Sequence, residues 1–113
     1  MKAQTRPKVL EGKTHRVNTG CGKLYITCNL HEGKPFEIFA KLGKAGGCSA
    51  CTTEALTRVI SVGLRAGVDL TEYYETLVNI GCVSPTFHEG TKIASCPDAI
   101  AQVLKEYIPE EVK

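Results

Sequence analysis

The sequence lacks tryptophan, has a single methionine, and carries only four tyrosines and three phenylalanines among its 113 residues. It also lacks a long hydrophobic run. No apolar segment approaches the ~20 residues of a membrane-spanning helix, so we expect no membrane partner. Neither sign of charge dominates, because 14 basic and 12 acidic residues leave a net charge of +2. The aromatic residues are not interleaved with arginine along the chain, so nucleic acid is not an expected partner.

Low-complexity tracts are missing as well, and 42% of the residues are hydrophobic. This length and composition predict one folded domain with one core. The first residues, MKAQTRPKVLEGK, contain no apolar stretch of the signal-peptide kind, which predicts a cytoplasmic protein. Phosphate-binding loops, dinucleotide-binding fingerprints and a Ser-His-Asp grouping are also missing. These absences leave the six cysteines as the main chemical signal.

Short-range alternation of apolar and polar residues predicts strands in the first part of the chain. Leu24, Ile26 and Cys28 fall on one side of such a strand, and FEIFAKLG continues the pattern after the turn residues of NLHEGKP. A tight turn is expected at Gly20 to Gly22. Three antiparallel strands are the simplest arrangement of this region.

Helical spacing replaces the alternation after GKAGGC and predicts three helices. The first covers about 49–66, and the second covers about 69–78 with an aspartate cap. Ser95 caps the third helix, Pro97 fits its first turn, and Asp98 completes a capping box. Apolar residues at helical spacing support the first helix: Leu56, Val59, Ile60 and Gly63, with Ala55, Val62 and Ala66 nearby. The order predicts an α+β fold in which three helices pack on one face of a three-stranded antiparallel sheet.

The expected domain organisation follows from these elements. Residues 1–13 form a flexible N-terminal arm or linker, residues 14–108 form a single domain, and residues 109–113 form a tail. The segment 79–95, between the second and third helices, is expected to be a loop.

Four cysteines lie beside glycine or proline where the backbone is expected to change direction: Cys21, Cys48, Cys82 and Cys96. Thiols at helix N-termini have lowered pKa values, and the thiolate is the form that binds metal. Cys48 and Cys96 occupy such positions. Six cysteines in a reducing compartment are not expected to form a disulfide framework. The pattern therefore predicts a thiolate metal site, for which zinc and an iron-sulfur cluster both remain open.

The other candidate residues have competing explanations. Cys28 lies within an alternating strand, which indicates a buried structural thiol. Cys51 forms a C-x-x-C pair with Cys48, so it is either a further ligand or half of a redox dithiol. His88 lies between two of the predicted ligands and is a further candidate ligand. Simple burial explains any one of these cysteines taken alone.

Four separated motifs occur in an order that resembles a known family. NTGCGKLYIT, FEIFAKLGKAGGCSACTTEALTRVISVGLRAG, NIGCVSP and SCPDAIAQVL resemble the TSCPD domain. That domain is found near the C-terminus of adenosylcobalamin-dependent (class II) ribonucleotide reductases and as small free-standing proteins. The resemblance covers about residues 6–107, and it places family cysteines at Cys21, Cys48, Cys82 and Cys96.

The resemblance implies a role in deoxyribonucleotide biosynthesis without independent catalysis. A chain of 113 residues cannot hold the radical site and barrel of a reductase. It would be a metal-binding accessory domain, structural or partner-binding, and its partner would be a ribonucleotide reductase catalytic subunit or another protein. Adenosylcobalamin would be bound only by a parent or partner reductase. A homodimer is compatible with the sequence.

A second resemblance, to U-type iron-sulfur cluster scaffold proteins, implies a different function. Those proteins have the same order of strands and helices, and their cysteines correspond to Cys21, Cys48 and Cys96. Lys23 stands where that family has an aspartate, a departure that weakens cluster transfer as an interpretation. An iron-sulfur scaffold or carrier is therefore one alternative. A thiol-disulfide redox protein using Cys48 and Cys51 is another.

Overall fold

The computed structural model describes residues 2–43 and 47–109. It contains five strands and three helices, in the order β1 (Glu11–Thr19), β2 (Gly22–His31), β3 (Lys34–Leu42), α1 (Gly47–Arg65), α2 (Leu70–Leu77), β4 (Thr86–His88), β5 (Thr91–Ile93) and α3 (Cys96–Lys105). Across the described residues, no helix has the length and hydropathy needed to cross a membrane.

The strands β1, β2 and β3 form an antiparallel sheet in that order. The alternation predicted for β2 is confirmed, because Leu24, Ile26 and Cys28 are fully buried while Tyr25 is exposed. Strand side chains alternate between the two faces, so one face of this sheet lies on the core and Tyr25 belongs to the opposite face. The predicted α+β fold, a three-stranded antiparallel sheet followed by three helices, is confirmed.

Residues that precede β1 contact the rest of the domain. The backbone N–H of Gln4 donates to the carbonyl of Arg65 at 3.0 Å. The Arg6 guanidinium donates to both carboxylate oxygens of Glu37, at 2.8 and 3.0 Å. Strand β1 begins at Glu11, within the segment 1–13 that was expected to be an arm or linker.

Glu37 is a carboxylate with an exposed fraction of only 1%. Burial by itself would raise its pKa, but hydrogen bonds from Arg6 and Asn29 and the positive charge of Arg6 outweigh burial and lower the pKa. A carboxylate whose pKa is lowered by folding stabilises the protein above its unfolded-state value of about 4.3. That contribution is lost as the pH falls through the lower folded-state pKa.

We therefore expect Glu37→Gln to reduce the free energy of unfolding at neutral pH. The same change should make that free energy depend less on pH in the acid range. The amide can still accept a hydrogen bond, so the change removes mainly the charge. Urea unfolding measured from about pH 7 down to about pH 3 checks this. Glu75→Gln, at an exposed position of α2, is the matched control. A Glu37→Gln curve parallel to that of the unaltered protein would contradict the expectation.

Helix α1 packs along the free edge of β3 through hydroxyl side chains. The Ser61 Oγ accepts from the backbone N–H of Ile38 at 2.9 Å and donates to the Ile38 carbonyl at 2.8 Å. The Ser61 hydroxyl thus forms hydrogen bonds with the backbone N–H and carbonyl of Ile38, to which a further strand would otherwise bind. Val59 and Val62, which helped to predict this helix, are 66% and 51% exposed. The buried residues of α1 are Thr53, Thr57, Ile60 and Ser61.

Helices α2 and α3 begin at the predicted caps. The Asp69 carboxylate accepts from the backbone N–H of Thr71 at 2.9 Å, and the Ser95 hydroxyl accepts from that of Asp98 at 3.1 Å. Helix α3 is the central helix of the core, and its Ile100 and Leu104 are fully buried. It contacts α2 on one side and the core face of the sheet on the other. The start of α3 is therefore held firmly near the end of the sheet.

A short hairpin occupies part of the segment that was expected to be a loop. Strands β4 and β5 pair antiparallel around a turn at Glu89 and Gly90. The backbone N–H of Asn18, in β1, donates to the Nδ1 atom of His88 in β4 at 3.2 Å. Each strand has three residues, which is too short for an alternating pattern to stand out in the sequence.

Candidate functional site

A cavity of about 240 Å³ lies where the β1–β2 turn, the first turns of α1, the loop after α2 and the start of α3 meet. Four separate chain reversals each place one cysteine in its wall. The lining residues are Cys21, Cys48, Cys82 and Cys96, together with Ser49, Thr52, Thr53, Leu56, Ser95 and Pro97. All four cysteines that the sequence selected as candidate ligands thus face one space.

The β1–β2 turn is organised by the hydroxyl of Thr19, which is almost completely buried. It donates to the Gly22 carbonyl at 2.7 Å and accepts from the backbone N–H of Cys21 at 3.2 Å. These bonds fix the turn that presents Cys21. The Cys21 sulfur lies 3.4 Å from the Ser49 hydroxyl, so the turn contacts the first part of α1 beside Cys48.

Cys96 is the first residue of α3 and the one buried thiol of the cavity. Its Sγ donates to the Thr19 hydroxyl at 3.7 Å. Burial raises the pKa of Cys96, the bond with Thr19 acts in the opposite direction, and the nearby Cys21 and Cys82 thiols raise the pKa further. The expectation of a lowered pKa is therefore wrong for Cys96, because its pKa is raised, first by burial and then by the neighbouring thiols.

Cys82 lies in the exposed loop after α2, and its sulfur accepts a hydrogen bond from the backbone N–H of Ser84 at 3.3 Å. The beginning of this loop is fixed by the fully buried Asp98. One oxygen of its carboxylate accepts from the backbone N–H of Asn79 at 2.8 Å, and the other accepts from that of Ala94 at 2.9 Å. The predicted capping box is thus only half formed, because the carboxylate binds the loop.

The remaining cysteines and His88 lie outside the cavity wall. Cys48 is exposed at the start of α1 and lines the cavity, whereas Cys51, one turn later, is exposed and does not line it. Cys28 is buried in β2, where burial raises its pKa to about 11. His88 contacts β1 through Asn18 instead of lining the cavity.

The thiols share a cavity without forming a closed ligand set. Within residues 2–43 and 47–109, no three His, Cys, Asp or Glu side chains are arranged as ligands of one metal ion. Three of the cavity cysteines lie on a turn, on a loop or in the first turn of a helix, and all three are exposed. Small movements of those segments would change the distances between the sulfurs.

Gly20 permits the close approach of two segments that carry cavity cysteines. A Cβ atom at this position would overlap the backbone carbonyl oxygen of Ser84. We expect Gly20→Ala to destabilise the domain by about 1–3 kcal/mol, because neither backbone can yield without moving Cys21 or Cys82. Thermal unfolding measures this effect.

Gly81→Ala is the matched control for Gly20→Ala, because Gly81 lies in the same loop as Ser84. A Cβ there has no neighbour within 4 Å, and the backbone does not need a positive φ. Its effect should stay within about 1 kcal/mol. Equal unfolding temperatures for the two variants would show that the close approach at Gly20 does not matter.

The family model described as the TSCPD domain matches residues 1–108. The chain belongs to the TSCPD domain family. TSCPD domains are associated with class II ribonucleotide reductases. Searches of curated proteins and of solved structures gave no match.

The motif that corresponds to the family name reads ASCPD in this TSCPD domain, at residues 94–98. Each of its last four residues has a defined structural role. Ser95 caps α3, Cys96 lines the cavity, Pro97 lies in the first turn of α3, and Asp98 binds the loop that leads to Cys82. The motif therefore both supplies one thiol and positions another.

Sequence reasoning missed two residues that organise the cavity. Thr19 contacts both the turn of Cys21 and the thiol of Cys96, and Ser49 contacts Cys21 from α1. Neither residue carries a distinctive signal in the sequence. Threonine in a strand and serine near a helix start are common, and their partners lie far away along the chain.

Proposed function

We propose that this TSCPD domain binds a metal through Cys21, Cys48, Cys82 and Cys96 and serves as an accessory module of class II ribonucleotide reductase. The observation that carries the proposal is the shared cavity, to which four chain reversals each contribute one cysteine. Small buried hydrophobes would pack against other side chains. Three of these four thiols are instead exposed.

The chemistry of the donor set suits a thiophilic metal. Four thiolates are a common ligand set for zinc and for iron-sulfur clusters. The Cys82 sulfur accepts a backbone N–H bond, a contact that stabilises negative charge on sulfur. Burial raises the pKa of Cys96, and the Cys21 and Cys82 thiols raise it further. A bound cation would reverse that influence and hold the ligands as thiolates.

The metal content of single variants tests the proposal. Protein purified without oxygen is analysed for zinc, iron and acid-labile sulfide, and each of the four cavity cysteines is replaced by serine. Each replacement should lower metal content to less than half that of the unaltered protein. Cys51→Ser is the matched control, because it removes an exposed thiol from the same helix as Cys48 but from outside the cavity. Equal metal content in all five variants would refute the proposal.

The accessory role follows from the family association and from size. A domain of 113 residues has room for a metal site but not for a reductase barrel. Its metal would hold the four segments together and so maintain a surface for the reductase catalytic subunit. Co-migration with a class II catalytic subunit in gel filtration should therefore occur with the metal-loaded domain and weaken in Cys96→Ser. No association in either state would leave metal binding intact and refute the accessory role.

The exposure of three cavity thiols favours one alternative function, an iron-sulfur cluster carrier. Cys21, Cys48 and Cys82 are exposed, as a site that releases its cargo requires. A carrier would pass a reconstituted cluster to an apo-ferredoxin within minutes, whereas a structural site would retain it. Colourless protein loaded with zinc would exclude the carrier.

A thiol-disulfide enzyme remains a second alternative, because Cys48 and Cys51 are both exposed on the first turns of α1. It requires both thiols. Reduction of a disulfide substrate that continues unchanged in Cys51→Ser would exclude it.

A further inference from the structure

The sheet has an outer face that carries exposed aromatic and basic side chains side by side. Arg16 pairs with Tyr25 across β1 and β2, and Tyr25 pairs with Lys41 across β2 and β3. A 39% exposed aromatic ring therefore lies between two cations. Phe39, 44% exposed, lies one row away on β3, opposite Thr27.

We call this surface the sheet platform and define it as Arg16, Lys23, Tyr25, Phe39 and Lys41. Strand side chains alternate, so all five belong to the face opposite the buried Leu24 and Ile26. The platform contains three cations and no carboxylate. The carboxylate of Glu37, further along β3 on the same face, is paired with Arg6.

We propose that the sheet platform binds single-stranded nucleic acid. Bases would stack on Tyr25 and Phe39, while the three cations would contact phosphates. Diagonal neighbours on adjacent strands lie about 7–8 Å apart, which allows two successive bases of an extended strand to use the two rings. Aromatic side chains on a flat sheet, bordered by cations, are a general way to bind unpaired bases without sequence preference.

The charges of the platform favour this ligand over the other occupants of an exposed sheet face. A second copy of the chain would bring three cations against three cations, which is repulsive. Duplex nucleic acid could meet the cations, but its paired bases cannot stack on the rings. These residues lie on three different strands, so no single stretch of the sequence shows the arrangement. Strand register brings them together.

Fluorescence anisotropy with labelled oligothymidine and oligouridine of about 12 nucleotides, a length that covers one such surface, tests the proposal. Binding should weaken with salt, with a slope of log K against log salt of about −2 for three phosphate contacts. Tyr25→Leu combined with Phe39→Leu should weaken binding at least about tenfold, because stacking is lost. Tyr25→Phe keeps the ring and should bind like the unaltered protein.

Lys41→Gln should make the salt slope shallower by about 0.7. Lys105→Gln, at an exposed position of α3 outside the platform, is its matched control. Circular dichroism and unfolding temperature confirm that each variant is folded. None of the platform residues lines the cysteine cavity, so these variants should keep their metal content.

Competition decides between ligand classes. Polyglutamate, vesicles containing phosphatidylserine and a DNA duplex of equal length should each compete at least about tenfold less well than the single strand. Equal competition by any of them would show attraction by charge alone and overturn the proposal. Unchanged affinity in the double leucine variant, or no binding at low salt, would overturn it too.

Discussion

Removing the proposed metal with a strong chelator is expected to lower the free energy of unfolding by about 5–10 kcal/mol and the unfolding temperature by about 20 °C or more. The reason is where the proposed ligands lie. Cys21, Cys48, Cys82 and Cys96 belong to a hairpin turn, a helix start, a loop and a second helix start. A metal bound by all four would add a direct link between four separate segments of the chain.

The core should survive chelation in part. Leu24, Ile26, Ile100 and Leu104 are fully buried without help from the cavity. We therefore expect the far-ultraviolet circular dichroism to persist at low temperature. The thermal unfolding transition should begin at a lower temperature and extend over a wider temperature range. Calorimetry with and without chelator measures the difference. A Cys21→Ser, Cys48→Ser double variant is the control, because it should already unfold early and should not respond to chelator. Identical curves for the unaltered protein in both conditions would contradict metal-dependent stability.

Asp98→Ala is expected to destabilise the domain by about 3 kcal/mol, the second-largest effect. Its carboxylate is fully buried and accepts hydrogen bonds from the backbone N–H groups of Asn79 and Ala94. Alanine would leave both donors without an acceptor, and a buried donor without a partner costs about 1–3 kcal/mol. The loop that carries Cys82 would lose its attachment to α3, so metal affinity should fall as well.

Hydrogen exchange at the Asn79 and Ala94 amides reports this change directly, and urea unfolding gives its free energy. Gln102→Ala is the matched control on the same helix, because the Gln102 amide is 3.4 Å from the Asp98 carboxylate, a weak contact. The loss of stability in Asp98→Asn should lie between those of Gln102→Ala and Asp98→Ala, since asparagine keeps one acceptor oxygen. Continued protection of both amides in Asp98→Ala would show that other groups hold the loop.

Local patterns predicted most of the elements of the fold. Alternation around Leu24 and Ile26 identified β2, and the caps at Asp69 and Ser95 identified the starts of two helices. Each of these signals depends on residues within one or two turns or one strand. The orientation of α1 was not predictable in this way. Its buried side includes Ser61, whose hydroxyl binds both backbone groups of Ile38, and this contact exists only because the helix lies along the edge of the sheet.

The candidate site was likewise predictable only in part from the sequence. Glycine and proline beside Cys21, Cys48, Cys82 and Cys96 indicated chain reversals, and family motifs selected the same four. Neither signal measures a distance between sulfurs. The structure adds that they line one cavity and that Cys51 does not. Burial and neighbouring thiols, both properties of the folded chain, also determine that the pKa of Cys96 is raised.

The sequence by itself determined the order of the first three strands and of the three helices, the caps of α2 and α3, and the family, because these depend on neighbours along the chain. Only the tertiary structure decided which faces are buried, which cysteines meet, what Asp98 binds and how Arg16, Tyr25 and Lys41 form one row. Those features depend on strand register and helix packing, which join residues that are distant in sequence.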